Sequence, residues 1–301
     1  MAARIAWLLN LDADAELRDP AGPRAARPSA PGARALRERI ADLVAPDDVV
    51  LDDDSEAAAA ASGARARGLP VLAFCPTPSA LARIARLGLM PPPAPPLPVL
   101  RAVNDRAFCA QLGHGLTGAA FVRDMAALEL KLQRPSPTSC HVIKRAFSFA
   151  GREQRRVRDG VLDRSTRGFC ARSFARGEGV QVEPWVERLE DFARHGYLTP
   201  GGAVLVGPTR LQRCDPMGRF VSVSPEPVQL TTAQEQRLGD EVERTATALA
   251  AAGYFGPFGI DAFSYTEAGG GVVLNARCEI NARFTMGYPR ALLLQALGYS
   301  V

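Results

Sequence analysis

The sequence predicts an α/β protein: a small N-terminal parallel sheet, then a longer part that mixes helices with antiparallel strands. Three observations predict it. Residues 1 to about 90 alternate short apolar runs with helical spacings, β-α-β-α-β-α, as parallel strands joined by helices do. A proline-rich stretch, Met90 to Pro98 (MPPPAPPLP), follows; it is stiff, extended and the clearest boundary in the chain. Near the end, two strand-like runs, Phe258 to Tyr265 and Val272 to Ile280, face each other across a Gly-rich turn.

Taken in order, Arg4 to Leu9 reads as a short buried strand and Asp12 to Gly32, rich in Pro, Ala, Gly and Arg, as a loop. Leu36, Ile40, Leu43 and Val44 give Ala33 to Val44 helical spacing. Asp48 to Leu51 is a second strand. The acidic run Asp52 to Glu56 then starts an alanine-rich helix, where carboxylates suit the helix dipole; a cation site is the alternative. Leu69 to Phe74 is a third strand and Ser79 to Leu87 a helix closed by Gly88. No G-x-G-x-x-G follows the first strand, so a dinucleotide fingerprint is absent. Beyond the linker, Val103 to Leu112 reads as one helix with Asn104 or Asp105 near its cap, and Asp124 to Gln133 as another. Ser139 to Lys144 is a strand, Arg145 to Arg158 a loop, Leu162 to Arg176 a helix, and Gly179 to Glu183 a strand running into Pro-Trp-Val. Antiparallel strands fill Glu190 to Arg213, one more strand covers Phe220 to Val223, and Thr231 to Ala252 is the longest helix, with Thr232 as cap. A short helix, Pro289 to Leu297, follows the final strand pair.

Bulk properties narrow the function. The 301 residues suffice for two domains, 47% hydrophobic and 23% charged content is ordinary, and a net charge of +4 is no nucleic-acid footprint. No apolar run approaches the ~20 residues of a membrane span, and the N-terminus does not read as a signal peptide. The six cysteines are dispersed without a C-x-x-C pair, so free thiols in a reducing cytoplasmic setting are expected. Of 36 basic residues only Lys131 and Lys144 are lysine. Lys131 lies on a solvated helix, whereas Lys144 ends an apolar run (CHVIK). No Ser-His-Asp or Cys-His set suggests a covalent intermediate, and His141 reads as structural.

Asp261, Glu279 and Asn281 are hard oxygen donors on neighbouring strands, the kind that suits magnesium; solvated strand ends are the plain alternative. Glu279, Asn281 and Arg283 share one face if the strand reaches that far. A lysine at Lys144 suits polyphosphate, and the loop after it, with Ser148, Gly151 and Arg152, could bring backbone N–H groups to phosphate. Glu183 with the backbone around Trp185 and Val186 could read a purine edge, and Glu190 could accept from a ribose hydroxyl. Taken singly, Lys144 also reads as a surface lysine, Trp185 as packing and Glu190 as a turn charge.

The order of these pieces resembles the ATP-grasp superfamily over roughly residues 99 to 288, through VIKRAFSFAGR, VEPWVERLE, GYFGPFGID and CEINARFTMG. The resemblance implies an N-terminal pre-ATP-grasp domain (1–90), a linker (91–98), a subdomain with lid loop and hinge (99–186) and a C-terminal subdomain with the magnesium site (187–301), with ATP between the last two. It implies that Lys144 touches the α and β phosphates and that Phe147 to Arg152 form the lid. Glu183 and Val186 would contact adenine, and Glu190 ribose. Asp261, Glu279 and Asn281 would hold magnesium, two ions with Glu279 bridging (manganese being the substitute), and Arg283 would meet the γ-phosphate or an acyl-phosphate. Arg106 stands where many members have a first phosphate lysine. Gly259 stands where ligases acting on amino acids often carry an arginine, so Arg210 or Arg213 would have to serve. Asn10, Asp12 and Thr77 are weaker candidates for the substrate side and read first as turn and cap residues.

The implied activity is an ATP-dependent ligase that activates a carboxylate as an acyl-phosphate and joins it to an amine. The expected substrates are an amino acid, a peptide or a related small metabolite; nucleic-acid and membrane partners are not expected, and a homodimer is common in the superfamily. The rivals are an ATP-grasp phosphotransferase or carboxylase, and a nucleotide-binding scaffold without turnover.

Overall fold

The computed structural model describes residues 3–22, 38–51, 55–134, 136, 138–147, 153–215, 218, 220–224, 226, 228–267 and 269–300. Its strands form three sheets. The first is parallel, ordered β2-β1-β3, from β1 (Ala6–Leu8), β2 (Val49–Val50) and β3 (Val71–Ala73). Its apolar residues are buried against the alanine-rich helix α2 (Glu56–Ala66) and α3 (Pro78–Arg86) on one side. On the other side Ile5, Trp7 and Phe74 pack on Phe284, Tyr288 and the last helix, α9 (Arg290–Ala296). Ser55 caps α2 by accepting from the Ala58 N–H at 3.1 Å, which supports the helix-start reading there; Asp52 to Asp54 and, of Ala33 to Val44, residues 33–37 lie outside the described residues.

The segment expected as a loop from Asp12 contains a helix instead, α1 (Ala13–Arg18), whose Leu17 is fully buried. Burial of Ala13 and Leu17 against Leu100 and Val103 stabilises a turn of helix that composition argued against. The helix expected from Val103 to Leu112 is two, α4 (Leu97–Asn104) and α5 (Arg106–Gln111). Asp105 breaks them: its backbone is extended and its side chain accepts from the Ala107 N–H at 2.8 Å.

The second sheet is antiparallel, ordered β4-β7-β5-β6, from β4 (Ala120–Val122), β5 (Cys140–Arg145), β6 (Gln154–Arg158) and β7 (Val180–Pro184). The expected loop Arg145 to Arg158 therefore ends in a strand. Polar β6 shows little alternation, and its pairing with all of Cys140–Lys144 holds it in place. Helices α6 (Met125–Leu132) and α7 (Arg164–Phe174) cover one face through Leu128, Leu132, Phe169 and Cys170.

The third sheet has six strands: β8 (Arg188–Leu198), β9 (Val204–Val206), β10 (Arg210–Cys214), β11 (Phe220–Val223), β12 (Gly256–Thr266) and β13 (Val272–Asn281). The long helix α8 (Thr232–Ala251) packs on one face, meeting Phe192, Phe258, Ile260, Ala262 and Ile280. Its cap is Thr231 rather than Thr232, in a reciprocal capping box with Gln234. Gly253, at φ 80°, takes the left-handed turn that ends α8 and sends the chain into β12.

Candidate active site

The free faces of the second and third sheets look at each other across a cavity of about 1230 Å³. Pairing decides what lines it. Ile143 and Val182 are partners facing α6 and α7, so the flanking Val142, Lys144 and Glu183 face the cavity. On the third sheet Phe192, Ile260 and Ala262 face α8, so Asp191, Asp261 and Phe263 face the cavity. The hinge Pro184 to Glu187 joins β7 to β8 at one end.

Asp261 and Glu279 are direct cross-strand partners, and Asn281 is the partner of Gly259, two positions along. The three candidate metal ligands are therefore brought together by the β12–β13 pairing, next to a register shift between Asp261 and Phe263. Asn281 donates to Asp261 at 3.0 Å. Burial, and then the Glu279 charge beside it, push the Asp261 carboxyl up to about 7. Two carboxylates held this close call for a cation. Among the described residues no group of three or more His, Cys, Asp or Glu could hold a metal, so the donor set is two carboxylates and one amide. That set fits magnesium, which completes its shell with phosphate and water oxygens, better than a metal needing a full protein cage.

Cations line the same cavity, each paired with an acid. Lys144 is buried and ion-paired with Glu183 at 2.7 Å. Burial raises the Glu183 carboxyl, but the Lys144 ammonium, with the Arg106 and Arg188 charges, outweighs it and holds the group below its ordinary value. Arg106, at the first position of α5, reaches Glu279 at 2.8 Å and donates through Nε to the Arg145 carbonyl at 3.0 Å. Arg283 lies two residues past the end of β13, lines the cavity, and meets Asp14 of α1 at 3.2 Å. Arg188 pairs with Asp191 at 2.8 Å and stacks 4.0 Å over the Phe263 ring.

The other end of the cavity is apolar. Leu116, Val142, Val186, Phe263 and Cys278 line it around the hinge. Of these, sequence reasoning named only Val186; the rest come from three strands and a loop and carry no local signal. Trp185 lies under the Arg156 guanidinium, 3.6 Å from its ring centre. The Trp185 N–H donates to the Cys140 carbonyl at 2.8 Å, and its own carbonyl accepts from Thr138 at 2.6 Å. Glu190 lines the cavity from β8.

Other candidates stand elsewhere. Ser148, Gly151 and Arg152 lie outside the described residues, and Phe147 is a core residue packed with Leu100 and Ile260. Arg210 pairs with Asp42 at 3.2 Å, away from the cavity lining; Arg213 lines the cavity but pairs with Glu226 at 2.6 Å. Asn10 donates to the Cys75 carbonyl at 2.7 Å, and Thr77, at the N-cap position of α3, donates to Glu16 at 2.7 Å rather than capping the helix with its side chain. Asp14 was missed: two residues beyond Asp12, it carries no motif of its own.

No protein-family model and no curated protein sequence matches the chain. Solved structures do. A biotin carboxylase from Campylobacter jejuni is 14% identical, with 98% of this chain and 71% of that one covered at a TM-score of 0.59. A D-alanyl-alanine synthetase A from Vibrio cholerae is 12% identical, with coverage of 99% and 94% and a TM-score of 0.53. A D-cycloserine synthetase is 15% identical, with coverage of 97% and 98% and a TM-score of 0.53. The chain has the ATP-grasp fold. In this chain the two facing sheets, the segment Pro184 to Glu187 and the paired acids of β12 and β13 surround one cavity.

Proposed function

We propose that this protein is an ATP-dependent carboxylate–amine ligase, with ATP in the cavity between the second and third sheets. The observation that carries this reading is the opposed pair Asp261 and Glu279, with Asn281 beside them, at the cationic end of a cavity whose other end is apolar. An adenine would enter between Val142, Val186, Phe263 and Cys278. The Trp185 backbone is already hydrogen-bonded, so a backbone contact to the base falls to Val186. Glu190 would accept from ribose. Lys144 and Arg106 would turn from Glu183 and Glu279 toward phosphate oxygens, charge-assisted contacts that replace one acidic partner with another.

Asp261, Glu279 and Asn281 would hold magnesium, which supplies charge neutralisation on the transferring phosphoryl group. The chain's own residues do the rest. The walls orient the nucleotide, and Arg283, held by Asp14, meets the γ-phosphate and the carboxylate that receives it. The acyl-phosphate formed is then attacked by an amine, which releases phosphate and leaves an amide. The names of the similar structures, two synthetases of amino-acid-derived products among them, support an amino acid or related small metabolite as substrate.

The test is ADP release by the purified protein with MgATP and a panel of amino acids, with hydroxylamine present. A ligase yields ADP and a hydroxamate, and Glu279→Gln lowers ADP release by about 100-fold or more, the scale of losing one electrostatic contact to the transition state. Unchanged turnover in Glu279→Gln would sink the reading. ADP without hydroxamate would point to a phosphotransferase on the same scaffold.

A further inference from the structure

One pair on the cavity wall has no part in the nucleotide chemistry. His195 of β8 and Thr285, in the loop after β13, are joined from imidazole Nε2 to hydroxyl Oγ1 at 2.7 Å. They meet across Gly259: a Cβ there would stand 3.0 Å from His195 Cδ2 and 3.1 Å from Thr285 Cγ2, so a side chain at that position would push the pair apart. Gly259 is the partner of Asn281 and lies two residues from Asp261, so the pair borders the magnesium end of the cavity. Thr285 lines the cavity; His195, 1% exposed, does not.

The imidazole is neutral. Burial, then the nearby Arg210 charge, push it down to about 3. A neutral ring carries one N–H. Nδ1 is buried without a hydrogen-bond partner among the described residues. An orphaned buried N–H is rarer and costlier than an orphaned lone pair, so the proton belongs on Nε2, where Thr285 Oγ1 accepts it. The ring is held edge-on against Tyr288, with centroids 5.2 Å apart. With its oxygen already accepting from His195, the Thr285 hydroxyl is free to turn its own O–H into the cavity.

We propose that Thr285 is a substrate-binding residue that donates its hydroxyl to an anionic oxygen of the group receiving the phosphate, and that His195 is the positioning residue that aims it. The inference rests on the ligase reading of the cavity. The ligand class is an acyl-phosphate, or the carboxylate that becomes one. It sits past the γ-phosphate, between Arg283 and Thr285, where a neutral donor adds to the guanidinium without bringing a second full charge.

Acetylphosphonate, a hydrolysis-resistant acyl-phosphate mimic, is the probe. Its affinity is measured by NMR titration in the presence of MgADP for the wild type, Thr285→Val and Thr285→Ser, and long-range proton–nitrogen spectra of the histidine rings report the tautomer. The expected results are weakening by about tenfold or more in Thr285→Val, the scale of a hydrogen bond to a charged group, and recovery to within about threefold in Thr285→Ser. The His195 proton is expected on Nε2. Equal affinity in wild type and Thr285→Val, including no binding by either while MgADP binds, overturns the inference, and so does a proton on Nδ1. If MgADP itself fails to bind the wild type, the ligase reading falls and takes this inference with it.

Discussion

His195 shows at the scale of one residue how burial decides chemistry. Its folded state resists protonation, with the ring pushed down to about 3, whereas in the unfolded chain it titrates near 6.5. The sign follows: above about pH 6.5 both states are neutral and the residue adds no pH dependence. As pH falls below that value the unfolded chain takes up a proton that the folded one does not, and stability is lost down to about pH 3. The slope is about 1.4 kcal/mol per pH unit. Urea unfolding between pH 4 and 6 should therefore show a smaller acid loss in His195→Gln than in the wild type, by about one proton; equal slopes would contradict a buried neutral ring. Asp14 is a second residue to test. Burial raises its carboxyl, the Arg283 charge opposes that, and the pair is the link between α1 and the phosphate end of the cavity. Asp14→Asn should lower kcat for ADP release by about tenfold or more while changing KM for ATP little; a change in KM alone would place Asp14 with nucleotide binding instead. Residues of rare type were legible in the sequence: Lys144 stood out as one of two lysines, and Asp261, Glu279 and Asn281 as hard donors. Partnerships were not, because Lys144–Glu183 and Arg106–Glu279 join residues 39 and 173 apart.

At the scale of elements, β12 and β13 were legible because alternation and a Gly-rich turn both point to a hairpin, and their register is what sets Asp261 against Glu279. Elements made by tertiary contact were not. Helix α1 exists because Leu17 is buried, β6 because β5 pairs it, and the α4–α5 break because Asp105 caps a new helix. The placement of α5 has its own device. Arg277 of β13 turns toward α8, donates to Glu241 at 2.5 Å, and reaches the carbonyls of Cys109 and Gly113. It thereby pins the end of the helix that carries Arg106. Arg277→Ala would leave Glu241 with Arg244 alone, at 3.0 Å, and two carbonyls short of a donor, a loss of about 1–3 kcal/mol in urea unfolding. A loss below about 1 kcal/mol would show that α5 is held by its apolar contacts alone.

For the whole molecule the question is how the N-terminal sheet belongs to the site. The proline-rich stretch reads as a boundary in the sequence; in the structure its last two residues, Leu97 and Pro98, already belong to α4. The contacts that cross back were invisible, being single arginines among many. Arg290 of α9 binds Asp48 at 2.6 and 2.9 Å, and Asp48 also accepts from the Ile5 N–H and the Trp7 indole. With Arg283–Asp14, it holds the parallel sheet against the loop that carries Arg283 and Thr285. No described helix is long and apolar enough to cross a membrane. Asp48→Ala should destabilise the protein by about 3–5 kcal/mol, since it takes the carboxylate from Arg290 and leaves the buried Ile5 N–H and Trp7 indole N–H without their acceptor. The central claim is that the cavity between the second and third sheets takes MgATP with its triphosphate at Asp261, Glu279 and Asn281. A crystal structure with magnesium and a non-hydrolysable ATP analogue tests it most directly. The account predicts the base between Val186 and Phe263, Lys144 on the phosphates, and a metal ion between Asp261 and Glu279. Nucleotide bound anywhere else, or bound there with no metal at those carboxylates, would contradict it.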